Sequence, residues 1–360
     1  QSSSYDTEYC WWSNIPDEDF AADEDYPWCI GQFVWTGFDY IGEPTPYDTD
    51  AWPNHTSVFG IVDKNAKIVK SVSIPTAGHG TAEKYVSACV EALKPLIDEV
   101  GGIEKIKAMG IGAPNGNFYN GSIENAPNLE WPGIVPLAKM FSDKLGIPVA
   151  LTNDANAAAI GEMAYGAAKG MKNFIMITLG TGLGSGIVVN GQLVYGCDGF
   201  AGELGHVVIH RSEHARECGC GRKGCIEAYC SATGMARTAR EWMAIRNTPS
   251  TLRDIPSDQL ESKDIAIAAA QGDQLAKEIM DYTGELLGRT CADFANFSSP
   301  EAFIFFGGPT KAGDLLMNPV RKAYDENVLF NYKGKAKLLL SELDGASAAV
   351  LGASALGWEL

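Results

Sequence analysis

Residues 174–189 read FIMITLGTGLGSGIVV, and this stretch decides what kind of fold the chain adopts. An apolar run, a glycine-rich turn and a second apolar run predict two strands joined by a tight turn. The glycines at 180, 182, 184 and 186 allow backbone N–H groups to approach an anion closely. The turn lacks the Lys-Ser/Thr ending of a P-loop, so on its own an ordinary hairpin is an equally good interpretation.

Outward from this stretch, the chain alternates between predicted strands and predicted helices from residue 58 onward. "VFGIVD" and "AKIVKSVSI" predict a hairpin, and residues 81–100 carry apolar side chains at helical spacing. "FFGGPTKAG", residues 305–313, is a second glycine turn after a strand and a second candidate for lining a nucleotide. Strands alternating with helices, with functional loops at strand ends, predict an α/β architecture.

The composition restricts the classes of partner. The formal charge is −17, from 45 acidic and 28 basic residues, which argues against nucleic acid and anionic membrane surfaces. No apolar run approaches 18 residues, and no secretory leader pattern opens the chain, so we expect a cytoplasmic protein. Four of the nine cysteines lie within residues 218–230, which indicates a reducing compartment and a metal site rather than a disulfide framework.

The cysteine-rich segment predicts a zinc site. Cys218, Cys220 and Cys225 supply three thiolates within eight residues, and one histidine would complete a tetrahedral shell. Three histidines lie close enough in sequence to the cysteines to be the fourth ligand: His206, His210 and His214. Spacing alone does not choose among them. Four protein ligands close the coordination shell, so we expect the zinc to be structural rather than catalytic.

"LTNDANAAAIGE" places a carboxylate where a strand meets a helix. Asp154 follows an apolar strand and precedes a run of small residues, a position that suits a general base. The alternative is that Asp154 is only the N-cap that starts the helix. Asn153 beside it can both donate and accept hydrogen bonds.

Taken together, these motifs resemble the bacterial ROK family of sugar kinases, and its glucokinase-like members in particular. The resemblance covers about residues 58–360 and rests on "GIGAPNG", "APNLEW", "NDANAAAIGE", "TLGTGLGSGIV", the cysteine signature "CGCGRKGCIE", "FFGGPTKAG" and "GASALGWE". It implies a two-lobed actin-like (ribonuclease-H-like) ATPase fold. The expected N-terminal lobe is residues 58–150 with the C-terminal helix 346–360, and the expected C-terminal lobe is residues 151–345.

The resemblance also implies a role for individual residues. Asp154 matches the family's catalytic base for transfer of phosphate from ATP, with Mg²⁺, to a hexose, and the expected acceptor is the 6-hydroxyl of glucose. His206 is the histidine that completes the zinc site. The residues that match sugar contacts are Asn128, Asn153, Glu203, His206 and Glu227, and those expected to contact ATP are Gly180, Thr181, Gly182, Gly307 and Gly308. A homo-oligomer is expected.

The pattern breaks before residue 58. ROK kinases open with a strand and an Asp-x-Gly-Gly-Thr hairpin that grips the phosphates, but residues 51–55 read Ala-Trp-Pro-Asn-His. Residues 1–57 instead resemble a barrel fragment of a glycoside hydrolase family 2 β-galactosidase, through "WTGFDYIGEPTPY". A fragment this short cannot close a barrel, so it is not expected to be an independent domain.

Two consequences follow for the fold and the activity. "CIGQFVWTG", residues 29–37, is a candidate surrogate for the missing first strand, whose loss would leave its neighbours with unpaired backbone groups. The missing hairpin predicts weakened ATP binding. The alternatives to a kinase are a sugar-binding protein without turnover and a sugar-responsive ROK regulator.

Overall fold

The computed structural model describes residues 28–34, 56–126, 129–343, 345–358 and 360. They belong to two compact units. The first unit contains residues 28–34, 56–165 and 346–360, and the second contains residues 166–345. The final segment therefore returns to the first unit after the chain has completed the second.

The first unit is built on a five-stranded sheet with the order β3-β2-β1-β4-β8. β1 pairs antiparallel with β2, β2 pairs antiparallel with β3, and β4 pairs parallel with both β1 and β8. A small antiparallel sheet, β5-β6-β7, follows β4. The strands are β1 Trp28–Val34, β2 Thr56–Asp63, β3 Ile68–Pro75, β4 Ile106–Ala113, β5 Gly116–Asn117, β6 Ser122–Glu124, β7 Ile134–Val135 and β8 Val149–Asn153.

β1 is the surrogate strand expected from the sequence. Its backbone lies between β2 and β4, and its last described residue, Val34, is in register with Ser57. The prediction that this segment completes the sheet is confirmed for residues 29–34, while residues 35–37 lie outside the described chain. A segment unlike the rest of the chain thus supplies the central strand, because any apolar extended segment can satisfy the ladder on both sides.

A row of glycines crosses the centre of this sheet. Gly31 in β1 is in register with Gly60 in β2 and Gly110 in β4. A Cβ atom on Gly110 would lie 1.7 Å from the carbonyl oxygen of Ala353, and one on Gly60 would lie 2.4 Å from a methyl group of Val350. The absence of side chains at Gly60 and Gly110 therefore lets the last helix lie directly on the sheet.

The helices of the first unit cover the sheet and bury its apolar side chains. Thr81 caps the first helix by accepting a hydrogen bond from the Lys84 N–H at 3.3 Å. Phe59, Tyr85, Leu93 and Phe141 are fully buried in the core. The helices are α1 Ala82–Glu99, α2 Leu137–Leu145, α3 Asp154–Tyr165 and α9 Gly345–Trp358.

The second unit repeats the strand order of the first. Its five-stranded sheet runs β11-β10-β9-β12-β13, with two antiparallel pairs followed by two parallel pairs. The stretch 174–189 forms β9, the glycine turn and β10, as predicted from the sequence. The strands are β9 Phe174–Leu179, β10 Leu183–Val189, β11 Gln192–Leu193, β12 Ala302–Phe306 and β13 Lys337–Leu340.

The second unit has its own core, formed by its sheet and a layer of helices. α7 and α8 pack closely because Gly284 and Gly288 of α7 admit the backbone of α8, where a Cβ on Gly288 would lie 2.3 Å from the Val320 oxygen. Among the described residues, none of the helices is long and apolar enough to cross a membrane. The helices are α4 Glu227–Cys230, α5 Ala232–Ile245, α6 Ser262–Ala270, α7 Gln274–Ser298 and α8 Asp314–Asn327.

The boundary between the units differs from the expected one. The sequence placed it after residue 150, whereas the structure places it after Tyr165. β8 pairs in parallel with β4, from Met109 opposite Val149 to Ala113 opposite Asn153, so β8 completes the first sheet. The strand–helix junction that carries Asp154 therefore belongs to the first unit.

Candidate active site

Asp154 lies at the carboxyl end of a parallel strand pair. Asn153 ends β8 opposite Ala113 of β4, and Asp154 is the first residue of α3. The junction forms here because the apolar strand ends at a polar pair, and the following small residues favour a helix. Open α/β sheets bind ligands at the carboxyl ends of their strands, so this position suits a reacting group.

Asn153, and not Asp154, occupies the N-cap position of α3. The Ala155 N–H donates to the Asn153 Oδ1 at 2.8 Å and to the Asp154 Oδ1 at 2.8 Å. Burial raises the pKa of the Asp154 carboxyl above its ordinary value, and the Ala155 N–H opposes that rise. The interpretation of Asp154 as only the N-cap is therefore not needed, because Asn153 fills that position. The role of Asp154 as general base stays a prediction.

The segment with Glu203 and His206 is anchored on β10. The Leu204 N–H donates to the Ser185 Oγ at 3.1 Å, and this hydroxyl donates to the Gly202 carbonyl. A Cβ on Gly205 would lie 1.9 Å from the Leu183 carbonyl oxygen, so the segment crosses β10 in close contact. Glu203 is exposed just before the short 3-10 helix Leu204–His206.

The cysteine-rich segment folds into a tight turn. The Cys218 N–H donates to the Arg222 carbonyl at 2.8 Å, and the Gly221 N–H donates to the Cys218 carbonyl at 3.0 Å. Gly224 has a φ of +83°, and a Cβ there would lie 1.8 Å from the His210 oxygen. Glycine is therefore required where the turn closes on the preceding segment.

This turn brings together the four predicted zinc ligands. One side-chain ligand atom from each of His206, Cys218, Cys220 and Cys225 lies within 4.8 Å of all the others. The Cys220 and Cys225 sulfurs are 3.7 Å apart, and the Cys218 sulfur is 3.6 Å from the His206 Nδ1. Ligands at Zn–S ≈ 2.3 Å and Zn–N ≈ 2.0 Å in a tetrahedron would be separated by roughly 3.5–3.8 Å. The donor set and its spacing fit zinc.

The structure groups His206, and not His210 or His214, with the three thiols. The His210 ring instead packs edge-on against Tyr229, with the ring centroids 4.7 Å apart. The spacing of the sequence left this choice open, and the resemblance to the ROK family favoured His206. The grouping agrees with the resemblance, and zinc binding itself stays a prediction.

Glu227 connects the thiol cluster to the glycine turn after β9. Its Oε2 accepts a hydrogen bond from the Leu183 N–H at 2.9 Å, and its Oε1 lies 3.3 Å from the Cys218 sulfur. A Cβ on Gly182 would lie 2.6 Å from the Glu227 Oε2. Glu227 is predicted to contact sugar, and in the structure its carboxylate lies between the thiol cluster and the start of β10.

The two glycine turns leave the same edge of the second sheet. β9 and β12 are parallel neighbours, so the turn at Gly180–Gly182 and the turn at Gly307 both follow carboxyl ends of strands. A Cβ on Gly307 would lie 2.1 Å from the Leu179 oxygen, and Gly307 has a φ of +115°. Gly308 begins the 3-10 helix Gly308–Ala312. The two glycine turns are therefore neighbours, as they would have to be to contact the phosphates of one nucleotide.

The start of α5 holds the first of these turns. The Ala232 N–H donates to the Gly180 carbonyl at 2.7 Å, and the Thr233 hydroxyl donates to the Thr181 carbonyl at 2.6 Å. Ser231 caps α5 by accepting from the Gly234 N–H at 3.0 Å. Sequence reasoning missed Thr233 and Ser185, because their partners are distant carbonyls that spacing does not reveal. The only local signal was Ser231, a capping residue directly after the cysteine motif.

Some predicted residues lie outside the described chain. Asn128, an expected sugar contact, is one of them, and so are the residues 51–55 that stand in place of the phosphate hairpin. Near Asn128 in sequence, Glu130 accepts hydrogen bonds from the N–H groups of Gly78 and Gly80, at 3.0 and 3.3 Å, which lower the pKa of its carboxyl.

Comparisons with known proteins place the chain in a family. Residues 54–359 match the model of the ROK family. The chain is 34% identical to a glucokinase of Halalkalibacterium halodurans over 322 residues, covering 86% of this chain and 95% of that protein. It is 36% identical to a glucokinase of Streptomyces coelicolor over 308 residues, covering 83% of this chain and 93% of that protein.

A solved structure supports the same assignment. The crystal structure of a ROK family glucokinase from Streptomyces griseus, in complex with glucose and AMPPNP, matches with a TM-score of 0.73 and 31% identity. The match covers 92% of this chain and 99% of that one. The α/β, actin-like fold expected from the sequence is confirmed. The chain belongs to the ROK family.

Proposed function

We propose that this protein is an ATP-dependent hexose kinase that transfers the γ-phosphoryl group of ATP to the 6-hydroxyl of glucose. Its membership of the ROK family and its similarity to glucokinases over most of the chain support this activity. The observation that carries the proposal is Asp154, a carboxylate with a pKa raised by burial at the carboxyl end of a parallel strand pair. A base of this kind is suited to accepting a hydroxyl proton.

In the proposed reaction, the sugar 6-oxygen attacks the γ-phosphorus and its proton passes to the Asp154 carboxylate. The bond between the γ-phosphorus and the bridging oxygen to the β-phosphate breaks, and ADP leaves. Little covalent work falls to the protein, so positioning and charge neutralisation supply most of the acceleration. The raised pKa of Asp154 makes it a better proton acceptor than an ordinary aspartate, provided that the pH keeps it ionised.

The phosphates are assigned to the glycine turns of the second unit. Gly180, Thr181 and Gly182 follow β9, and Gly307 and Gly308 follow the adjacent β12. Their backbone N–H groups can approach phosphate oxygens closely because no side chain stands at the glycines. Mg²⁺ bound with ATP neutralises the remaining charge.

The sugar hydroxyls are assigned to polar groups that the local structure holds in place. Glu203 is exposed beside β10, Glu227 is fixed by the Leu183 N–H, and Asn153 caps α3 through Oδ1 and keeps an amide to donate. Asn128 completes the set proposed from the family motif. The His206 Nδ1 is directed at the thiols. Its Nε2 is then the nitrogen that carries the proton and donates to a hydroxyl.

Zinc held by His206, Cys218, Cys220 and Cys225 would fix the loop between β11 and α4 and supply no chemistry to the transfer. The role of the zinc would be structural, because four protein ligands leave no open coordination position for a substrate. The cytoplasmic location and the homo-oligomeric state remain predictions from the sequence.

The test is ATP consumption with glucose by the purified full chain, beside Asp154→Ala and a control, Asp98→Ala. Asp98 is exposed on α1 of the same unit. The wild type and the control should turn over, whereas Asp154→Ala should lose roughly 10²–10⁴-fold in kcat, as general bases usually contribute. Turnover unchanged in Asp154→Ala would refute the assigned base.

One observation favours a second candidate, a sugar-binding protein without turnover. The residues at the place of the phosphate hairpin, Ala51 to His55, include no glycine, and Pro53 has no N–H to donate. Calorimetric titration with glucose separates the two candidates. Glucose binding without ATP consumption would establish the second, and consumption lost on mutation of Asp154 would establish the kinase.

A further inference from the structure

Arg216 is a buried cation next to the thiol cluster, and none of the functional assignments uses it. It lies two residues before Cys218, and only 7% of its surface is exposed. Burying a guanidinium is costly unless its N–H groups are paired, so a buried arginine marks a place where the local structure is strongly specified.

The guanidinium of Arg216 contacts two helices. Its Nε and Nη2 donate to the Glu241 Oε2 at 3.0 and 2.7 Å. Its Nη1 donates to the carbonyl of Ala228 at 3.0 Å and to that of Gly234 at 3.2 Å. It also lies over the ring of Tyr229, 4.6 Å from the ring centre.

The two carbonyls belong to residues beside functional positions. Ala228 follows Glu227 in α4, and Gly234 follows Thr233, whose hydroxyl holds the Thr181 carbonyl of the glycine turn. One side chain therefore joins three elements: the segment that carries the cysteines, the helix that carries Glu227, and the helix start that holds the turn after β9. Arg216 therefore cross-links these elements through several hydrogen bonds and is more than one member of an ion pair.

The backbone of Arg216 strengthens this arrangement. Its N–H donates to the Tyr229 hydroxyl at 2.9 Å, and its carbonyl accepts from the Gly224 N–H at 2.8 Å, beside Cys225. The register of the cysteine turn against α4 is thus fixed from both the main chain and the side chain of one residue.

We propose that Arg216 is a positioning residue that sets the thiol cluster and Glu227 relative to each other, and thereby controls zinc retention and glucose affinity. The inference rests on the proposed function for the glucose part, and on the four grouped ligands for the zinc part. Arg216 acts through Glu227 and Cys218 and does not itself touch a substrate.

Arg237 is a matched control within the same network. It donates from Nε to the other oxygen of Glu241 at 2.8 Å, so it shares the acidic partner of Arg216. Its side chain is 42% exposed, and beyond Glu241 its Nη1 donates to the Glu217 carbonyl at 3.2 Å. No described hydrogen bond joins its guanidinium to the carbonyls of α4 or of the α5 start.

The experiment compares the zinc-loaded wild type with Arg216→Met and Arg237→Met. The rate of zinc transfer to a chromophoric chelator and the KM and kcat for glucose are measured. Arg216→Met should release zinc about 10–100-fold faster, the range for residues that orient metal ligands. It should raise KM for glucose more than it lowers kcat, because Asp154 lies on a different element. Arg237→Met should match the wild type.

The inference is overturned if Arg216→Met releases zinc at the wild-type rate, if both variants change equally, or if the wild type retains no zinc. Where Arg216→Met does not fold, Arg216→Lys replaces it, because lysine keeps the charge for Glu241 but cannot donate to both carbonyls. A folded Lys variant with wild-type release also overturns the inference. Failure of the wild type to consume ATP would overturn the proposed function alone, since zinc release is measured without turnover.

Discussion

The two sheets share one strand order but differ in the turn between their first two strands. In the second unit, β9 and β10 are joined by residues 180–182, whose glycines follow the end of a strand. In the first unit, residues 35–55 separate β1 from β2. The equivalent place thus carries a three-residue glycine turn in one unit and a much longer stretch of chain, without glycine at residues 51–55, in the other.

This difference separates what a sheet requires from what a phosphate site requires. A central strand needs extended backbone that pairs on both sides, and β1 meets that need: it pairs with β2 from Trp28 to Val34 and with β4 at Trp28 and from Ile30 to Phe33. A phosphate site needs particular residues without side chains and with free N–H groups. A segment that pairs on both sides can therefore complete the sheet without providing the residues that a phosphate turn needs.

The largest effect is expected from the glycine row of the first sheet. Gly110→Ala places a methyl group 1.7 Å from the Ala353 carbonyl, which belongs to helix backbone and cannot rotate away. We expect a loss of about 1–3 kcal/mol or more, measured by denaturant unfolding. Gly60→Ala would crowd side-chain methyl groups, of Val350 at 2.4 Å and of Ile68 at 3.3 Å, and should cost less because side chains can shift. A cost at Gly110 no larger than the cost at Gly60 would contradict the close approach of the Ala353 carbonyl to β4.

The next effect concerns the missing turn itself. Replacing residues 35–55 and the first residue of β2, Thr56, with Gly-Thr-Gly would give the first sheet the turn length of the second, because Val34 lies opposite Ser57 as Leu179 lies opposite Leu183. Hydrogen bonds to charged groups contribute about 1.5–3 kcal/mol each, so KM for ATP should fall by roughly tenfold or more. A turn of the same length, Asp-Pro-Asp, is the control, because it removes an N–H and adds negative charge. The same KM in both variants would mean that this turn does not meet the phosphates.

A smaller effect is expected in the intact turn. Gly182→Ala would push the Glu227 carboxylate away from the Leu183 N–H, because the new Cβ lies 2.6 Å from Oε2. Loss of one such hydrogen bond, about 0.5–1.5 kcal/mol, should raise KM for glucose by up to roughly tenfold. Gly219→Ala is the control, since its Cβ would meet no atom within 4 Å. A change confined to KM for ATP would contradict the link through Glu227.

The smallest effect is a pH-dependent change in stability at Asp154. Because its pKa is raised in the folded state, the stability that it contributes is present below its unfolded pKa and is lost as the pH rises through the folded value. Asp154→Asn should therefore melt at a higher temperature than the wild type at neutral pH, and the difference should vanish in acid.

Glu130 provides a comparison of opposite sign. The Gly78 N–H lowers the pKa of its carboxyl, so its contribution is present above the unfolded pKa and is lost as the pH falls. Glu130→Gln should melt at a lower temperature than the wild type at neutral pH and at the same temperature in acid. Melting curves at several pH values test both variants, and shifts of the same sign would contradict the assignment for Asp154.

The site residues that were predictable from the sequence are those whose partners are close in sequence. Cys218, Cys220 and Cys225 lie in one turn, so their spacing in the sequence was enough to predict that the three thiols lie together. Asp154 lies at a strand–helix junction that hydrophobic patterning located, but the capping role of Asn153 needed the hydrogen bonds. The sequence placed the boundary between the units too early, after residue 150 rather than after Tyr165. Hydrophobic patterning shows that β8 is a strand, but it does not show that β8 pairs with β4.

The features that could not be predicted depend on contacts between distant segments. No internal repeat is visible in the sequence, because strand order depends on pairing and not on residue identity. Arg216 looks like an ordinary loop arginine until its guanidinium is seen to contact the carbonyls of Ala228 and Gly234. The alignment of Gly31 with Gly60 and Gly110 likewise required the register of the strands.

The return of α9 to the first unit sets the order in which the protein can mature on the ribosome. Among the described residues, those of the second unit form one continuous stretch, 166–345, so that stretch can fold as soon as it has left the exit tunnel. The first sheet must wait, with its glycine row uncovered, until residues 345–358 have been translated. The first unit is thus translated before the second but completed after it, and a nascent chain that stalls within the second unit would leave an apolar sheet face open to chaperones.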